Sequence, residues 1–160
     1  MPDYTIYLGA DHRGFAKKEE LFPILNSCHE NVSVEDLGAD EYHEDDDFND
    51  PAIAVAKAVA HNPHGIGVLL CGSAHGVTMQ ANRLKGARAI NALTPESAAA
   101  GRRDDHANIV CLAADQLDVD SMEQIIKTFC HTRPATEERY LRRVRRLDAD
   151  PVDSTGQEEQ

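Results

Sequence analysis

Hydrophobic residues occur in short continuous runs that alternate with longer amphipathic segments. The run Gly65 to Leu70 (GIGVLL) is apolar throughout, which is typical of a strand buried on both faces of a parallel sheet. The alternation of such runs with helical segments predicts βαβ units, and therefore a Rossmann-like, three-layer α/β sandwich around a five-stranded, mostly parallel sheet. The other four strands are predicted over Tyr4–Leu8, Asn31–Val34, Gly86–Asn91 and Asn108–Ala113.

Capping and turn residues set the limits of the predicted helices, because proline suits a first helical turn and Ser, Thr or Asp suits the cap before it. No linker or repeat divides the chain, so residues 1–149 are expected to form one domain and residues 150–160 a disordered tail. Helices are predicted over Gly14–Ser27, Pro51–His61, Val77–Leu84, from Thr94 onwards, from Asp120 or Ser121 to Cys130, and over Pro134–Leu147.

Charge narrows the possible functions. The formal net charge is −12, which argues against a nucleic-acid partner because phosphate backbones require an electropositive face. The acidic stretch Asp40–Asp47 is expected to be a solvated loop. In contrast, Arg139 to Arg146 carries five arginines in eight residues, and it is the obvious place for an anion.

The sequence features that indicate a cellular compartment are those expected of a cytoplasmic protein. No apolar run is long enough to span a membrane, and the first residues lack the features of a signal peptide. The four cysteines form no CxxC pair, so the spacing offers neither a zinc site nor a disulfide framework. Free thiols in a reducing cytosol are the expected state.

Loops that follow strands are the places to look for chemistry, because open parallel sheets bind ligands at the carboxyl ends of their strands. Three such loops carry polar or glycine residues: Gly9–Gly14, Cys71–Gly76 and Arg102–Asn108.

Cys71 begins the glycine-rich loop CGSAHG, between the buried run and the next predicted helix. Glycines let backbone N–H groups approach an anion, and a following helix N-terminus favours a cysteine thiolate. A thiolate beside such a loop is a competent base for removing a proton alpha to a carbonyl. The position of Cys71 alone supports equally the alternative that it is an ordinary buried strand residue.

Two further features are candidates for substrate contact. In the loop after the first strand, Asp11 can hold a sugar hydroxyl and His12 a charged group, although an ordinary turn capped by Asp11 explains the same residues. In the last predicted helix, Arg139, Arg143 and Arg146 share one face, and arginine forks suit phosphate oxygens. A solvated basic face is the commoner explanation of such a run.

Together and in this order, these segments resemble the ribose-5-phosphate isomerase B and galactose-6-phosphate isomerase family. The similarity runs through YLGADHRGFAKKE, VEDLGAD, DDDFND, GVLLCGSAHGVTMQANRLKGARA, HANIVCLAA and ERYLRRVRRL. It implies aldose–ketose isomerisation of a sugar phosphate through a cis-enediolate, with neither metal nor coenzyme. It also implies a homodimer or homotetramer whose active sites are shared between subunits and whose C-terminal helix is exchanged at the dimer interface.

The resemblance assigns roles to individual residues. Cys71 matches the base that moves the proton between C1 and C2. Branches of the family without this cysteine place a glutamate six residues later, where this chain has Val77. Ser73 and the loop backbone match the anion hole for the enediolate oxygen, and Asp11 matches a further catalytic residue. The implied substrate-binding residues are His12, Gly72, His75, Gly76, Asn82, His106 and Asn108, and the implied phosphate-binding residues are Arg139 and Arg143.

The chain departs from the family pattern where substrate is handled. The family histidine that assists opening of the sugar ring falls on Asp104, and His106 is the nearby candidate to replace it. A phosphate-binding arginine of the family falls on Asp115, and an aromatic residue that is usually tyrosine is Phe48.

Three functions therefore remain open. The first is interconversion of ribose 5-phosphate and ribulose 5-phosphate. The second is isomerisation of a tetrulose 4-phosphate such as D-erythrulose 4-phosphate, which cannot close a five-membered ring through its phosphorylated oxygen and needs no ring-opening histidine. The third, from a different class, is a phosphosugar-binding subunit that is inactive without a partner chain.

Overall fold

A parallel five-stranded sheet forms the centre of the molecule. The computed structural model describes residues 4–28 and 30–149, so the predicted tail at residues 150–160 lies outside the described residues. The strands are β1 (Tyr4–Ala10), β2 (Val32–Asp36), β3 (Gly65–Cys71), β4 (Ala89–Asn91) and β5 (Ile109–Ala113). Their order in the sheet is β2-β1-β3-β5-β4, and all of these pairings are parallel. This confirms the predicted sandwich and makes the sheet parallel throughout.

Helices cover both faces of the sheet and bury two apolar clusters against it. The helices are α1 (Phe15–Ser27), α2 (Asn49–His61), α3 (His75–Ala81), α4 (Pro95–Asp104), α5 (Val119–His131) and α6 (Glu138–Asp148). The first cluster includes Leu21, Ala98 and Met122, which come from α1, α4 and α5. The second includes Val55 and Val77, which come from α2 and α3.

The strand β3 lies at the centre of the sheet, and the loop that follows it was predicted to carry chemistry. All seven of its residues are buried, as the apolar run predicted. It lies between β1 and β5, so the strand order reverses between β1 and β3. At such a reversal the two following loops diverge to opposite faces and leave a crevice at the carboxyl ends of the strands.

Gly14 lets the chain after β1 pass directly over β3. A Cβ added to this glycine would lie 2.6 Å from the Cβ of Leu70 and 2.8 Å from its carbonyl oxygen. The backbone N–H of Asp11 donates to the same carbonyl at 3.2 Å. The loop after β1 is therefore fixed against the end of β3.

Helix boundaries differ from the predictions where several capping residues compete. The prediction that α4 starts after Thr94 is confirmed, since the Thr94 hydroxyl accepts from the N–H of Ser97 at 3.1 Å. The prediction that Asp120 or Ser121 caps α5 is wrong. Asp118 is the cap, because its carboxylate accepts from the N–H of Ser121 at 2.8 Å.

The start of α6 also differs from the prediction. Pro134 does not begin the helix, which starts at Glu138. Residues 132–136 form neither helix nor strand. Ala135 pairs with the end of α4: its N–H donates to the carbonyl of Arg103 at 2.9 Å, and its own carbonyl lies 2.7 Å from Nε2 of His106. These tertiary hydrogen bonds therefore outweigh the local preference of Pro134 for the first turn of a helix. None of the residues of α6 is buried.

Lys18 of α1 is a fully buried cation, with 0% of its side chain exposed. Its ammonium group donates to Oδ2 of Asp36 at 2.6 Å and to the carbonyl of Ala39 at 3.0 Å. Such pairing offsets the cost of removing the charge from water. The contact ties α1 to the end of β2, where the acidic loop begins.

The acidic loop (residues 40–48) is mostly exposed, as predicted, but Asp46 and Phe48 are partly buried. Within residues 4–28 and 30–149, no helix is both long enough and apolar enough to cross a membrane.

Candidate active site

Two loops meet at the carboxyl edge of the sheet, meaning the edge where the strands end. One follows β1 and carries Asp11, His12 and Arg13. The other, the cysteine loop (residues 71–76), follows β3. The end of β5 completes this edge, because the N–H of Ala114 donates to the carbonyl of Cys71 at 2.9 Å. The structure thus brings together two of the three loops predicted to carry chemistry.

The cysteine loop turns sharply into α3. Ala74 has φ of +66°, a left-handed conformation that is uncommon for a residue with a side chain. The Ser73 hydroxyl accepts from the N–H of His75 at 3.3 Å, and the amide of Asn91 donates to the Ser73 carbonyl at 3.2 Å. These contacts hold the backbone of the loop in one shape, as an anion hole requires.

Cys71 is the last residue of β3, with 4% of its surface exposed, and lies among apolar residues of α2, α3 and β5. A second thiol, Cys111, lies behind it in β5. Burial raises the pKa of the Cys111 thiol to about 12, so Cys111 stays protonated at neutral pH. Cys71 stands instead where the strand gives way to the loop, which is the position that a base acting on a loop-bound substrate needs.

Asp11 closes the turn after β1. Its side chain is buried, and its Oδ1 accepts from the N–H groups of Arg13 at 3.0 Å and Gly14 at 3.2 Å. The turn-capping alternative therefore describes Asp11 in this structure. Its catalytic role remains a prediction.

His12 is held by the acidic loop. Oδ1 of Asp46 accepts from the His12 backbone N–H at 2.8 Å and lies 2.8 Å from its Nδ1. This hydrogen bond raises the pKa of His12 above its ordinary value of 6.5. Asp46 is a site residue that sequence reasoning missed, since nothing in a run of acidic residues indicates which one meets a histidine 34 positions away.

Phe48 brings the acidic loop against the cysteine loop. A Cβ added to Gly76 would lie 2.8 Å from the Phe48 ring, so the ring packs on the glycine backbone. The loop predicted to be solvated therefore forms one wall of the site through Asp46 and Phe48.

Arg13 is a second residue that sequence reasoning missed. Its guanidinium forms an ion pair with Asp115, the residue that stands in place of a family arginine. It also lies against Gly72, because a Cβ added to that glycine would overlap the guanidinium.

Three predicted substrate-binding residues lie at the opposite, amino edge of the sheet. Both ends of the Asn82 amide bond the backbone of Ala89, where β4 starts, at 2.7 and 2.9 Å. Asn108 bonds the backbone of Arg88 and Gly86 at 2.7 and 2.8 Å. His106, with φ of +52°, hydrogen-bonds through Nε2 to the carbonyl of Ala135, in the segment before α6. Within one chain these residues do not reach the cysteine loop.

The predicted phosphate-binding arginines belong with this second group. Arg139 and Arg143 are exposed on α6, with their guanidinium carbons 4.8 and 5.8 Å from the ring centre of Tyr140. Their charges, together with a hydrogen bond from Arg103 that has the larger effect, lower the pKa of Asp104. The arginines and the position of the family's ring-opening histidine are therefore neighbours, away from Cys71.

In the described part of the chain, no group of three or more His, Cys, Asp or Glu side chains could hold a metal ion. A cavity of about 270 Å³ lies at the amino edge, bordered by Tyr4, Arg102 and Cys130 among others, and none of the predicted site residues lines it.

Comparison with known proteins agrees with the fold and with the order of the loops. The model of the family described as Ribose/Galactose Isomerase matches residues 6–147. Ribose-5-phosphate isomerase B of Mycobacterium tuberculosis is 31% identical over 145 residues, which are 90% of this chain and 88% of that protein. D-erythrulose-4-phosphate isomerase 2 of Mycolicibacterium smegmatis is 29% identical over 122 residues, 76% of this chain and 80% of that one.

A solved structure gives the same result in three dimensions. The crystal structure of ribose-5-phosphate isomerase B from Mycoplasma genitalium with bound ribulose-5-phosphate has a TM-score of 0.86 to this chain, at 29% identity. The similarity covers 92% of this chain and 96% of that one. With its parallel sheet, its cysteine loop at the strand reversal and a family match over nearly its whole length, the chain belongs to the Ribose/Galactose Isomerase family.

Proposed function

We propose that the protein is an aldose–ketose isomerase that interconverts ribose 5-phosphate and ribulose 5-phosphate, with Cys71 as the base. The observation that carries this proposal is the position of Cys71, at the end of a buried strand and at the start of a glycine-containing loop whose backbone is held by hydrogen bonds. Family membership and relatives named ribose-5-phosphate isomerase B support the same reaction.

The chemistry is a proton transfer within one substrate. The Cys71 thiolate removes the proton from C2 of the open-chain aldose, and the C–H electrons form the C1–C2 double bond while negative charge moves to O1. Backbone N–H groups of the cysteine loop and the Ser73 hydroxyl hold this enediolate oxygen. The thiol returns its proton to C1, and another proton passes from O2 to O1, so the product is the ketose with no atom gained or lost.

Charged groups around the loop have supporting roles. His12, paired with Asp46, carries positive charge over a wider pH range than a free histidine and holds an anionic group of the substrate. Asp11 fixes the turn that presents His12, and its carboxylate accepts a substrate hydroxyl. His75 and Gly76 line the entrance where Phe48 packs.

The complete site is proposed to be shared between two copies of the chain. Cys71, Asp11 and His12 lie at the carboxyl edge, whereas His106, Arg139 and Arg143 lie at the amino edge. A two-fold dimer brings the carboxyl edge of one copy to the amino edge and α6 of the other, and places the arginines on the substrate phosphate. An isolated eleven-residue helix is only marginally stable in water, so α6 gains from packing on a partner.

A four-carbon substrate is the second candidate. Asp104, at the position that the resemblance gives to the ring-opening histidine, is ion-paired with Arg103. Its pKa is lowered, so it stays a carboxylate at neutral pH. The similarity to a relative named D-erythrulose-4-phosphate isomerase 2 supports this candidate.

We further propose a cytoplasmic location. All four cysteines (Cys28, Cys71, Cys111 and Cys130) are free thiols, which is the state that a reducing compartment maintains.

The test is turnover of a panel of four-, five- and six-carbon aldose and ketose phosphates in D₂O, for the wild-type protein, Cys71→Ala and the control Cys28→Ala. We expect the wild type to isomerise one class and to incorporate deuterium at C1 of the ketose. Cys71→Ala should lose at least about a hundredfold in kcat, because it removes the general base. Cys28→Ala should keep full activity.

Failure of the folded wild-type oligomer to turn over any member of the panel would contradict the proposal and favour a phosphosugar-binding subunit. Turnover of four-carbon substrates alone would establish the second candidate. Full activity of Cys71→Ala would remove Cys71 as the base.

A further inference from the structure

Arg13 and Asp115 form an ion pair across the carboxyl edge that the roles described so far do not use. Arg13 follows β1 and Asp115 follows β5, so the pair spans the end of β3 between them. The guanidinium lies on the backbone of Gly72, where any side chain would overlap it. A permanently charged cation is thus in contact with the cysteine loop.

Asp115 is itself fixed to the same glycine. Its backbone N–H donates to the Gly72 carbonyl at 3.0 Å, next to the bond from Ala114 to Cys71. This bond fixes the backbone of Asp115 at the end of β5, from where its carboxylate pairs with the Arg13 guanidinium over Gly72.

The exposure of the pair indicates a role other than stability. About half of each side chain is open to solvent, 51% for Arg13 and 48% for Asp115, and ion pairs this exposed contribute little to folding. A guanidinium has five N–H donors in a planar fork, and Asp115 occupies one side of it. The remaining donors suit two oxygens of a phosphate.

We propose that Arg13 is an anion-binding residue for the substrate phosphate and that Asp115 is its positioning residue. The proposal rests on the proposed function and adds a determinant of specificity to it. The Asp115 carboxylate repels phosphate oxygens from its own side, so the phosphate binds to the face of the guanidinium that is turned away from Asp115. A phosphate monoester gains from this contact, and an unphosphorylated sugar does not.

Direct titration with inorganic phosphate tests the proposal without requiring turnover. Isothermal calorimetry is made on the wild-type protein, Arg13→Met, Arg13→Lys and the matched control Arg83→Met, which removes an exposed arginine near the amino edge. We expect Arg13→Met to weaken phosphate binding by about ten- to a hundredfold, as for loss of charge-assisted hydrogen bonds. Arg13→Lys should recover part of the affinity, and Arg83→Met should match the wild type.

The role of Asp115 is tested by a double-mutant cycle. Asp115→Asn should change phosphate affinity less than Arg13→Met does, and it should cause no further loss in the Arg13→Met background, because Asp115 acts through Arg13. Additive losses would overturn the positioning role. The thermal unfolding temperature of each variant should stay close to that of the wild type. If the pair had only a structural role, the loss of affinity would be accompanied by a lower unfolding temperature.

Equal phosphate affinity of the wild type and Arg13→Met would overturn the proposal, and so would a wild type that binds no phosphate. A protein that binds phosphate through Arg13 but isomerises no sugar phosphate would contradict the proposed function alone. In an active protein, Arg13→Met should raise KM for sugar phosphates much more than it lowers kcat, since the phosphate is remote from the reacting carbons.

Discussion

His12 and Asp46 show how a single pair of side chains can set the working pH of the site. The hydrogen bond that His12 donates to Asp46 raises the pKa of His12, so the imidazolium persists to higher pH than in a free histidine. In terms of folding, a raised native-state pKa contributes stability that is complete below the unfolded value and is lost as pH rises through the native pKa.

The first prediction at the residue scale concerns this pair. If cationic His12 binds the substrate anion, kcat/KM should fall on the alkaline side as His12 loses its proton. Asp46→Asn removes the main cause of the raised pKa, and it should move this fall to lower pH while leaving activity below pH ~6 close to the wild type. The measurement is the pH profile of kcat/KM, with Asp45→Asn as the matched control in the same loop. An unchanged profile in Asp46→Asn would show that His12 does not carry the charge.

Residues that lie next to strand ends could be named from the sequence, whereas their partners could not. Cys71, Asp11 and His12 are marked by the apolar runs that precede them. The His12–Asp46 and Arg13–Asp115 pairs join residues 34 and 102 positions apart, and no local pattern encodes which acidic residue approaches which cation.

At the scale of elements, a helix or strand boundary was predicted correctly where the interaction that sets it is local in sequence. β3 was predicted within one residue because a strand that is buried on both faces has an unbroken run of apolar residues. α4 was predicted from its own cap and proline. α5 and α6 were misplaced at their starts because Asp118 outcompetes later capping residues and because Ala135 is held by contacts to α4 and its C-terminal loop.

The cap of α4 gives a second prediction. Thr94→Ala removes the oxygen that accepts from the N–H of Ser97 and should lower the free energy of unfolding by about 1 kcal/mol. Thr94→Ser keeps that acceptor and should retain most of the stability. Urea denaturation followed by circular dichroism measures both variants. Equal loss in the two would mean that the hydroxyl does not cap the helix.

At the scale of the whole molecule, the division of the predicted site residues between two edges of the sheet is the main organising feature. The family resemblance implied one site for all of them, and a single chain does not bring them together. For the proposed dimer, the missing information is the relation between copies, which has no signature in the periodicity of the sequence.

Subunit complementation gives the third prediction. Cys71→Ala impairs the carboxyl-edge half of each site, and the double variant Arg139→Met/Arg143→Met impairs the amino-edge half. Mixed dimers of the two should contain one intact site, so co-expressed variants should regain about a quarter of wild-type activity if pairing is random and two-fold symmetric. Cys71→Ala mixed with Ser73→Ala, both defective in the same half, should regain none. No recovery in the first mixture would show that each chain forms its own site.

The buried ammonium of Lys18 has a practical consequence for following the molecule in solution. Amine-reactive reagents modify lysines that water reaches, such as Lys57, and Lys18 is sealed beneath Phe15 and bonded to Asp36. Modification of Lys18 therefore requires α1 to separate from β2. The labelling rate of Lys18, measured by mass spectrometry, therefore reports how often the native structure opens at this place. Exposed lysines in the same sample give the labelling rate of a fully accessible amine for comparison.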